Sequence, residues 1–354
     1  MLCHVAGAGS KRAATINDVA EAAGSSISTV SRAFHMPELV RPQTRERVLQ
    51  IASGLGYTPN RAARGLITGR TGNVGLIVPD IANPFFPALV KAAQARARAR
   101  DYSIFLADTE EDPDAEAGLI RAMAKQVDGV IACSSRMPDT KLREVASLTS
   151  LVLVNRRSPG IPAILMDMTG GMRQAVEHLY ALGHRRCVYL AGPRPSWSNR
   201  QRWKSLKATA DRLGMEAVVL GPFEPGYEAG LGAADQALAS GPTAIVAYND
   251  LMALGVLARL VDRGVAVPEE ISVVGFDDIQ MAAIASPPLT TVAVPAAAGG
   301  EAAVDLLLGA LAGPGGDGRQ ARELKTQLMV RDSTGPAPEA GRSPKRSGAR
   351  RAAG

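Results

Sequence analysis

Four residues in one short segment, Ile27, Ser28, Ser31 and Arg32, have side chains of the types that read the edges of base pairs. Hydroxyls and a guanidinium form hydrogen bonds in the major groove, and an apolar tip contacts the methyl group of thymine. Their spacing places all four on one face of a helix. The segment therefore predicts a helix that reads DNA.

A helix-turn-helix would position these side chains. Thr15 is placed to N-cap a first helix, and the carboxylate of Asp18 suits the positive end of that helix. Gly24 ends the first helix, and Ser25-Ser26 offers an N-cap for a second helix over residues 27–34. A third helical stretch and a proline-marked exit follow it along the chain.

Charge separates this reading from the alternative that the hairpin is only a helical corner of a larger domain. Residues 1–70 carry nine Lys or Arg against four Asp or Glu, whereas residues 71–334 carry 26 against 29. Residues 335–354 add five basic residues against one acid. A basic head on a nearly neutral body is the charge pattern of a DNA-binding protein.

The body of the chain predicts an α/β fold. Of the 354 residues, 46% are apolar, which suffices for a sizeable core. From residue 72 onward, short apolar runs alternate with amphipathic segments, a pattern typical of doubly wound parallel sheets. Ligands of such sheets lie outside the carboxyl ends of the strands. The polar residues that end the apolar runs are Asp80, Asp108, Asn155, Asn249, Asp250, Asp277 and Asp278.

Two of these positions hold adjacent polar pairs with an expected division of labour. Asn249 and Asp277 lie one residue nearer the strand end, so we expect them to face a ligand, and we expect Asp250 and Asp278 to cap helices. A carboxylate accepts hydrogen bonds from neighbouring hydroxyls, an amide donates and accepts, and aromatic rings pack on the apolar face of a sugar.

The chain has no motif of a hydrolase, metalloprotease, NTPase or dehydrogenase, so we expect neither a catalytic residue, a metal site nor a cofactor. Cys3, Cys133 and Cys187 lack metal-ligand spacing. No run of about 18 apolar residues and no signal segment occurs, which predicts a cytoplasmic protein without membrane contact, associated with the nucleoid when bound to DNA.

These features resemble the LacI/GalR family of bacterial transcription regulators. Residues 18–32 match its head signature D-V-A-x-x-A-G-x-S-x-x-T-V-S-R. The match continues through V-P-D-I-A-N-P-F-F at residues 78–86, A-Y-N-D-L-M-A-L-G at 247–255 and I-S-V-V-G-F-D-D at 271–278, and covers about residues 15–334.

The resemblance implies a set of DNA contacts in the head and a hinge that inserts Leu66 into the minor groove. Ile27 and Ser28 match the positions that discriminate operators, while Arg45 and Arg61 would hold phosphates. The implied contacts are Thr15, Ser26, Ile27, Ser28, Thr29, Ser31, Arg32, Arg45, Tyr57, Asn60, Arg61, Ala63 and Leu66.

The resemblance also implies an effector site between two lobes like those of periplasmic sugar-binding proteins. Asn155, Arg202, Asn249 and Asp277 match effector-contacting positions. Asn155 stands where aspartate is commoner, so it would donate as well as accept hydrogen bonds. The implied walls and secondary contacts are Phe85, Phe86, Ser198 and Phe223.

The expected fold is a small all-α helix-turn-helix head followed by two doubly wound parallel sheets. The expected segments are a disordered extension (1–14), the head (15–60), the hinge (61–71), the effector-binding and dimerisation domain (72–334) and a disordered basic tail (335–354). One lobe would hold about 72–167 and 295–322, the other about 168–294 and 323–334.

The expected function is that of a homodimeric repressor whose affinity for a near-palindromic double-stranded operator is controlled by a small effector, with a sugar or sugar derivative favoured. A purine-type corepressor is the alternative within the same class. A solute-binding protein or enzyme on the two-lobed scaffold is the alternative from another class, and removal of residues 1–70 would discriminate it, since such a protein would keep its function.

Overall fold

The computed structural model describes residues 14–58, 69–313 and 321–338. The chain forms two compact units, Met1–Thr71 and Gly72–Gly354. Most of the expected extension, hinge and basic tail lies outside the described residues. No described helix is long and apolar enough to cross a membrane.

The first unit contains three α-helices, and its turns follow from local capping. The helices are α1 (Ile16–Ala22), α2 (Ile27–His35) and α3 (Pro42–Gly54), with a 3₁₀ turn at Pro37–Leu39.

Thr15 caps α1 as predicted, in a reciprocal pair with Asp18: the Thr15 backbone N–H donates to the Asp18 carboxylate at 2.7 Å. Ser26 caps α2 by accepting from the Thr29 backbone N–H at 3.1 Å. Gly24 between the two helices has a φ of +55°, which glycine adopts at little cost.

The apolar faces of the three helices pack into one small core. Val19, Val30 and Val48, one from each helix, are fully buried. Phe34 and Tyr57 pack edge to face against this core, with ring centroids 5.8 Å apart. This core fixes which side of α2 remains exposed.

The second unit contains two six-stranded sheets. The first has the order β11-β5-β4-β3-β1-β2 and the second β12-β10-β9-β8-β6-β7. Every neighbouring pair is parallel except β10 and β12. The strands of the first sheet are β1 (Asn73–Val78), β2 (Ser103–Asp108), β3 (Gly129–Cys133), β4 (Ser150–Val154), β5 (Ala163–Met166) and β11 (Arg322–Leu324). Those of the second sheet are β6 (Arg186–Leu190), β7 (Glu216–Leu220), β8 (Ala244–Ala247), β9 (Ser272–Asp277), β10 (Thr290–Ala293) and β12 (Gln327–Met329).

Helices follow most strands, as the alternating pattern predicts. They are α4 (Phe85–Arg98), α5 (Pro113–Met123), α6 (Asp139–Ala146), α7 (Met168–Ala181), α8 (Trp197–Leu213), α9 (Tyr227–Ala239), α10 (Asp250–Asp262), α11 (Gln280–Ile284) and α12 (Ala296–Leu311).

The second lobe is the one built on the second sheet. Two of its helices, α9 and α10, cross so closely that only glycine fits at the crossing. A Cβ on Gly255 would lie 2.1 Å from the Tyr227 carbonyl oxygen, and a Cβ on Gly230 would lie 2.2 Å from that of Met252. Because these neighbours are backbone atoms, side-chain rotation could not relieve either clash. The crossing anchors the start of α10, which reaches the site described below.

The chain passes between the two sheets three times: between β5 and α7, between β10 and α12, and between β11 and β12. The first sheet therefore takes its last strand from residues 322–324, and the second takes its last strand from residues 327–329. Parallel strands of both lobes send their carboxyl ends toward loops that hold polar residues, which is where a ligand of such a fold lies.

Candidate functional site

The exposed side of α2 carries the side chains predicted to read bases. Ile27 is 51% exposed, although it is a large apolar residue. Ser28 and Arg32 are also exposed, and Ser31 is half-buried. Val30, on the opposite side of α2, is fully buried, so α2 packs against the core through that side and not through Ile27. This side of α2 has the composition of a base-reading surface.

The other predicted contacts in the head differ in their surroundings. Ser26 is engaged locally, since its hydroxyl lies 2.8 Å from that of Ser28 and 2.9 Å from that of Thr29. Arg45 is exposed on α3, whereas Tyr57 is half-buried against Phe34 and burial raises the pKa of its hydroxyl. Asn60, Arg61, Ala63 and Leu66 lie outside the described residues.

A second site lies between the two lobes, and it contains seven of the eight predicted effector contacts. They line one inner chamber of about 20 Å³. Phe223 instead lines a wider mouth of about 660 Å³. The predicted residues in the inner chamber are Phe85, Phe86, Asn155, Ser198, Arg202, Asn249 and Asp277.

The elements bring these residues together from distant parts of the sequence. Asn155 follows β4, Asp277 ends β9, and Asn249 lies between β8 and α10. Ser198 and Arg202 come from the first turns of α8, where the Ser198 hydroxyl donates to the Asn155 carbonyl at 3.4 Å. That hydrogen bond joins the two lobes directly.

The backbone around the inner chamber and its mouth is strained. Seven described residues other than glycine have positive φ angles, and all but Asp101 line this site or adjoin it. Such conformations are costly for L-residues and cluster where a side chain must be aimed. The six are Glu110, Glu111, Ser134, Asn155, Asp277 and Asp278.

Arg202 is the central cation of the inner chamber. It is 4% exposed, and its guanidinium lies between two aromatic rings, 3.7 Å from the centroid of Phe276 and 4.8 Å from that of Tyr248. It donates to the Tyr248 carbonyl and, at 3.3 Å, to Asp277 Oδ1. Its Nε–H has no hydrogen-bond partner among the described residues. A buried donor of this kind suits an incoming acceptor.

Two acceptors of the inner chamber complement that donor. Asn155 is 3% exposed, and its Oδ1 has no partner among the described residues. Burial raises the pKa of Asp277 to about 7, although the nearby Arg202 favours the ionised carboxylate. The chamber has room for about one water molecule. It offers buried donors and acceptors side by side, the groups with which hydroxyls of a ligand in the adjoining mouth would pair.

The expected division of labour between Asn249 and Asp250 is wrong. Asn249 is the helix cap: its Oδ1 accepts from the Met252 backbone N–H at 2.9 Å, and its Nδ2 donates to the Pro225 carbonyl at 2.8 Å. Asp250 is fully buried beneath the chamber, where it accepts from the backbone N–H of Ile279. Residue 249 is the one whose backbone is still extended, and the cap position requires that geometry.

Asp278 does not cap a helix either. Its carboxylate pairs with Arg331 at 2.6 Å, and Ile279 occupies the N-cap position of α11 without a side-chain hydrogen bond. The left-handed backbone of Asp278 turns its side chain toward the segment after β12, which holds Arg331. A sequence reading confined to neighbouring residues could not detect this partner 53 positions away.

Six more residues line the inner chamber, and sequence reasoning missed them as ligand contacts. Glu111 and Arg136 form a two-pronged ion pair, and the Arg136 side chain is 3% exposed. Both lie in loops that follow strands, β2 and β3, so extending the strand-end rule by three residues would have found them. The six are Asn83, Glu111, Ser134, Arg136, Pro225 and Tyr248.

Other candidate groups have structural roles. Trp203 stacks on Tyr189 with ring centroids 5.9 Å apart, and Trp197 packs against a buried apolar cluster of the first lobe. Asp108 accepts from the Ile81 backbone N–H at 2.7 Å, which ties two loops together. In the described ranges no group of His, Cys, Asp or Glu could hold a metal ion.

Comparison with known proteins was made over the whole chain. Residues 15–60 match the profile of the lacI family of bacterial regulatory proteins, and residues 176–334 match that of a periplasmic binding protein-like domain. The chain is 33% identical to the HTH-type transcriptional repressor CytR of Escherichia coli (strain K12), over 91% of this chain and 96% of that repressor. It is 34% identical to the HTH-type transcriptional regulator GalS of Salmonella typhimurium (strain LT2), over 84% of this chain and 90% of GalS.

Solved structures agree. The Lac repressor dimer bound to operator and the anti-inducer ONPF matches with a TM-score of 0.83 and 29% identity, covering 92% of this chain and all of that one. The complex of the transcriptional regulator CelR with cellobiose matches with a TM-score of 0.67 and 31% identity, covering 90% and 99% of the two chains.

Proposed function

The chain belongs to the LacI family of bacterial regulatory proteins and is a DNA-binding transcriptional repressor rather than an enzyme; from this premise we propose that a carbohydrate-like effector, bound between its lobes, controls its affinity for a near-palindromic operator. The observation that carries the proposal is the inner chamber with its unpaired buried groups, Asn155 Oδ1 and Arg202 Nε. Hydroxyl groups of an effector would pair with both.

The effector must bind the two arrangements of the lobes unequally, because only differential affinity shifts a conformational equilibrium. Residues from both lobes line the chamber, so a ligand there would contact Asn155 on one side and Arg202 on the other. The solved structure of CelR is a complex with cellobiose, which supports a carbohydrate as the class of effector for this chain.

The test of this proposal selects bound sites from random duplex DNA and then measures release of the selected operator by a panel of sugars and purines. Release by a sugar supports an inducer, whereas tighter operator binding with a purine supports the corepressor alternative. Purines are included in the panel because the chain is 32% identical to the transcriptional repressor PurR of Mannheimia succiniciproducens. Failure to select any bound duplex, without ligand or with any ligand of the panel, would contradict the repressor function itself.

The effector contacts, the DNA contacts and the segment boundaries given above belong to this proposal. They include the hinge positions Asn60, Arg61, Ala63 and Leu66, which lie outside the described residues. Because the partner is an operator in bacterial DNA, we place the protein in the cytoplasm, with the nucleoid as its location when bound.

Ile27 and Ser28 are expected to select bases, whereas Arg45 holds phosphate. Ile27→Ala or Ser28→Ala should change the ranking of operators, since a good base contact discriminates by about 1 to 3 kcal/mol. Arg45→Gln should weaken all duplexes alike and reduce the slope of log affinity against log salt by about one unit. Selection and salt titration of the three variants check this, and uniform weakening by all three would contradict the assignment.

A homodimer would present two heads to the two operator half-sites. Strand β2 is the edge of the first sheet, and its neighbouring residues Phe105 and Leu106 are 41% and 40% exposed. Consecutive strand residues point to opposite faces, so both faces of this edge are uncovered and apolar. Exposed apolar edges are surfaces for association, and we assign this one to the second copy of the chain.

The double variant Phe105→Lys, Leu106→Lys is therefore expected to sediment as a monomer at concentrations where the wild type is a dimer. Its affinity for a full operator should fall toward that for a half-site, because the two heads are no longer linked. Sedimentation and gel-shift measurements check this prediction. Val330→Lys, at a 59% exposed apolar residue on a different segment, is the matched control, and equal dissociation of both variants would contradict the assignment of β2.

A further inference from the structure

The charged groups of the inner chamber are arranged in two closed pairs. Arg136 Nη2 donates to Glu111 Oε1 at 2.8 Å while its Nε donates to the other oxygen, and its Nη1 donates to the Ser134 carbonyl at 2.8 Å. Arg202 pairs with Asp277, and their side chains are only 5% and 8% exposed. Each guanidinium thus has its own carboxylate.

A fifth ionisable group lies behind the first pair. Glu116 is 2% exposed and accepts from the Arg136 backbone N–H at 3.0 Å, while its Oε1 has no partner among the described residues. Burial raises the pKa of Glu116 and so favours its neutral form. It leaves the charge balance of the two pairs unchanged, so at pH 8, where Asp277 is ionised, the chamber has no surplus cation to receive an anion.

The mouth through which a ligand enters is acidic. Asp80, Glu110 and Glu224 line it together with Glu111, whose charge Arg136 already balances, and Arg194 is the basic residue among the described residues that line it. An anion approaching the chamber would meet a surplus of like charge before reaching either guanidinium. Such an arrangement slows the entry of anions and lowers their local concentration.

We infer that the effector is an uncharged polyhydroxy compound, and that the Arg136–Glu111 pair excludes its phosphorylated and carboxylated counterparts. This inference rests on the proposed function of the chamber as the effector site. An anion would have to displace the half-buried Glu111 from Arg136, or the buried Asp277 from Arg202, and leave that carboxylate without its partner. Hydroxyl groups make no such demand, because Asn155 Oδ1 and Arg202 Nε are open to them.

The pair Arg136–Glu111 is therefore a determinant of specificity, and opening it should convert the chamber into an anion site. Inorganic phosphate is the probe, so the experiment does not depend on knowing the effector. In full-length Glu111→Gln, phosphate should raise the melting temperature saturably, with an apparent affinity about tenfold or more above that of the wild type, because the freed guanidinium regains a counter-ion. At pH 8, where Asp277 is ionised, the wild type should respond to phosphate no more than to chloride of equal ionic strength.

Glu224→Gln is the matched control, since Glu224 lines the mouth but pairs with no arginine among the described contacts and should not create a phosphate site. Asp277→Asn frees the other guanidinium and provides a second variant if Glu111→Gln does not fold. Saturable phosphate binding by the wild type, or the lack of it in both opened variants, would overturn the inference.

Pairs of ligands that differ by one phosphate test the exclusion of anions through its effect on operator binding. The pairs are ribose with ribose 5-phosphate, glucose with glucose 6-phosphate, and adenosine with its 5′-monophosphate. Where a pair alters operator binding, the uncharged member is expected to act at concentrations at least about tenfold lower. A stronger effect of any phosphorylated member overturns the charge assignment and leaves the regulatory function intact. Failure of the wild type to bind operator both without ligand and with every ligand of the panel would instead contradict the regulatory function.

Discussion

Asp277→Asn is expected to raise the effector concentration needed to change operator binding by roughly 10- to 150-fold at pH 8. The carboxylate accepts from hydroxyls with a full charge, and a charge-assisted hydrogen bond contributes about 1.5 to 3 kcal/mol. Asparagine keeps the size of the side chain but turns one oxygen into a donor, which would face the Arg202 guanidinium or the ligand unfavourably. Calorimetry of ligand binding and gel-shift titration measure the effect.

The pH dependence of this variant shows whether its lower effector affinity comes from the lost negative charge or from a changed shape of the side chain. Burial raises the pKa of Asp277 to about 7, so the wild-type side chain is ionised at pH 8 and largely protonated at pH 6. The penalty of the substitution should therefore shrink between pH 8 and pH 6. An effector affinity equal to that of the wild type at pH 8 would remove Asp277 from the site.

The same raised pKa has a consequence for stability. Because the folded protein binds this proton more tightly than the unfolded chain does, the contribution of Asp277 to stability is fully present below its ordinary pKa of 3.8 and is lost as the pH rises through about 7. Asp277→Asn should reduce the fall in melting temperature between pH 6 and pH 8. Operator binding without effector should persist, because the head supplies the base contacts.

How far the sequence predicts this molecule depends on whether a feature is local. Thr15 with Asp18, and Ser26 with Thr29, are three residues apart, and their caps follow from helix chemistry alone. The alternation of strands and helices is likewise a repeating local pattern, and it predicted the two sheets. The family resemblance then identified seven residues that the fold brings into one chamber.

The features that escaped prediction depend on partners far away in sequence. Glu111 and Arg136 are 25 residues apart in two different loops, and nothing near either residue identifies the other as its counter-ion. Their pairing follows only when β2 and β3 flank β1 in the sheet order.

The exchange of the expected roles of Asn249 and Asp250 likewise depends on a partner that is far away in sequence. Both residue types favour helix N-termini, so local propensity could not decide which of them caps α10. The decision lies with Thr291 on β10, whose buried hydroxyl donates to Asp250 Oδ1 at 2.5 Å, 41 residues away in sequence. Gly275 on β9 leaves the space for this carboxylate, since a Cβ there would lie 2.1 Å from Asp250 Oδ1.

Asp250→Ala is accordingly expected to destabilise the effector-binding unit by about 3 kcal/mol, since each buried donor left without a partner costs about 1 to 3 kcal/mol. The donors are the Thr291 hydroxyl and the Ile279 backbone N–H. The second of these fixes the turn in which Asp277 has a φ of +124°, so the variant should also lose effector affinity. Urea unfolding of the full-length protein, followed together with effector calorimetry, measures both losses.

Asp250→Asn is the matched control for this prediction. Its amide can accept from the Ile279 N–H through Oδ1 and donate to the Thr291 oxygen through Nδ2, so only the Thr291 O–H loses its acceptor, whereas both donors lose theirs in the Ala variant. Burial raises the pKa of Asp250 to about 6, so at pH 8 the wild type carries a buried charge that the asparagine lacks. The Asn variant should therefore be more stable than the Ala variant at pH 8. Equal stability of the Ala variant and the wild type would mean that the turn holds Asp277 without Asp250, and that the carboxylate beneath the chamber has no part in aiming it.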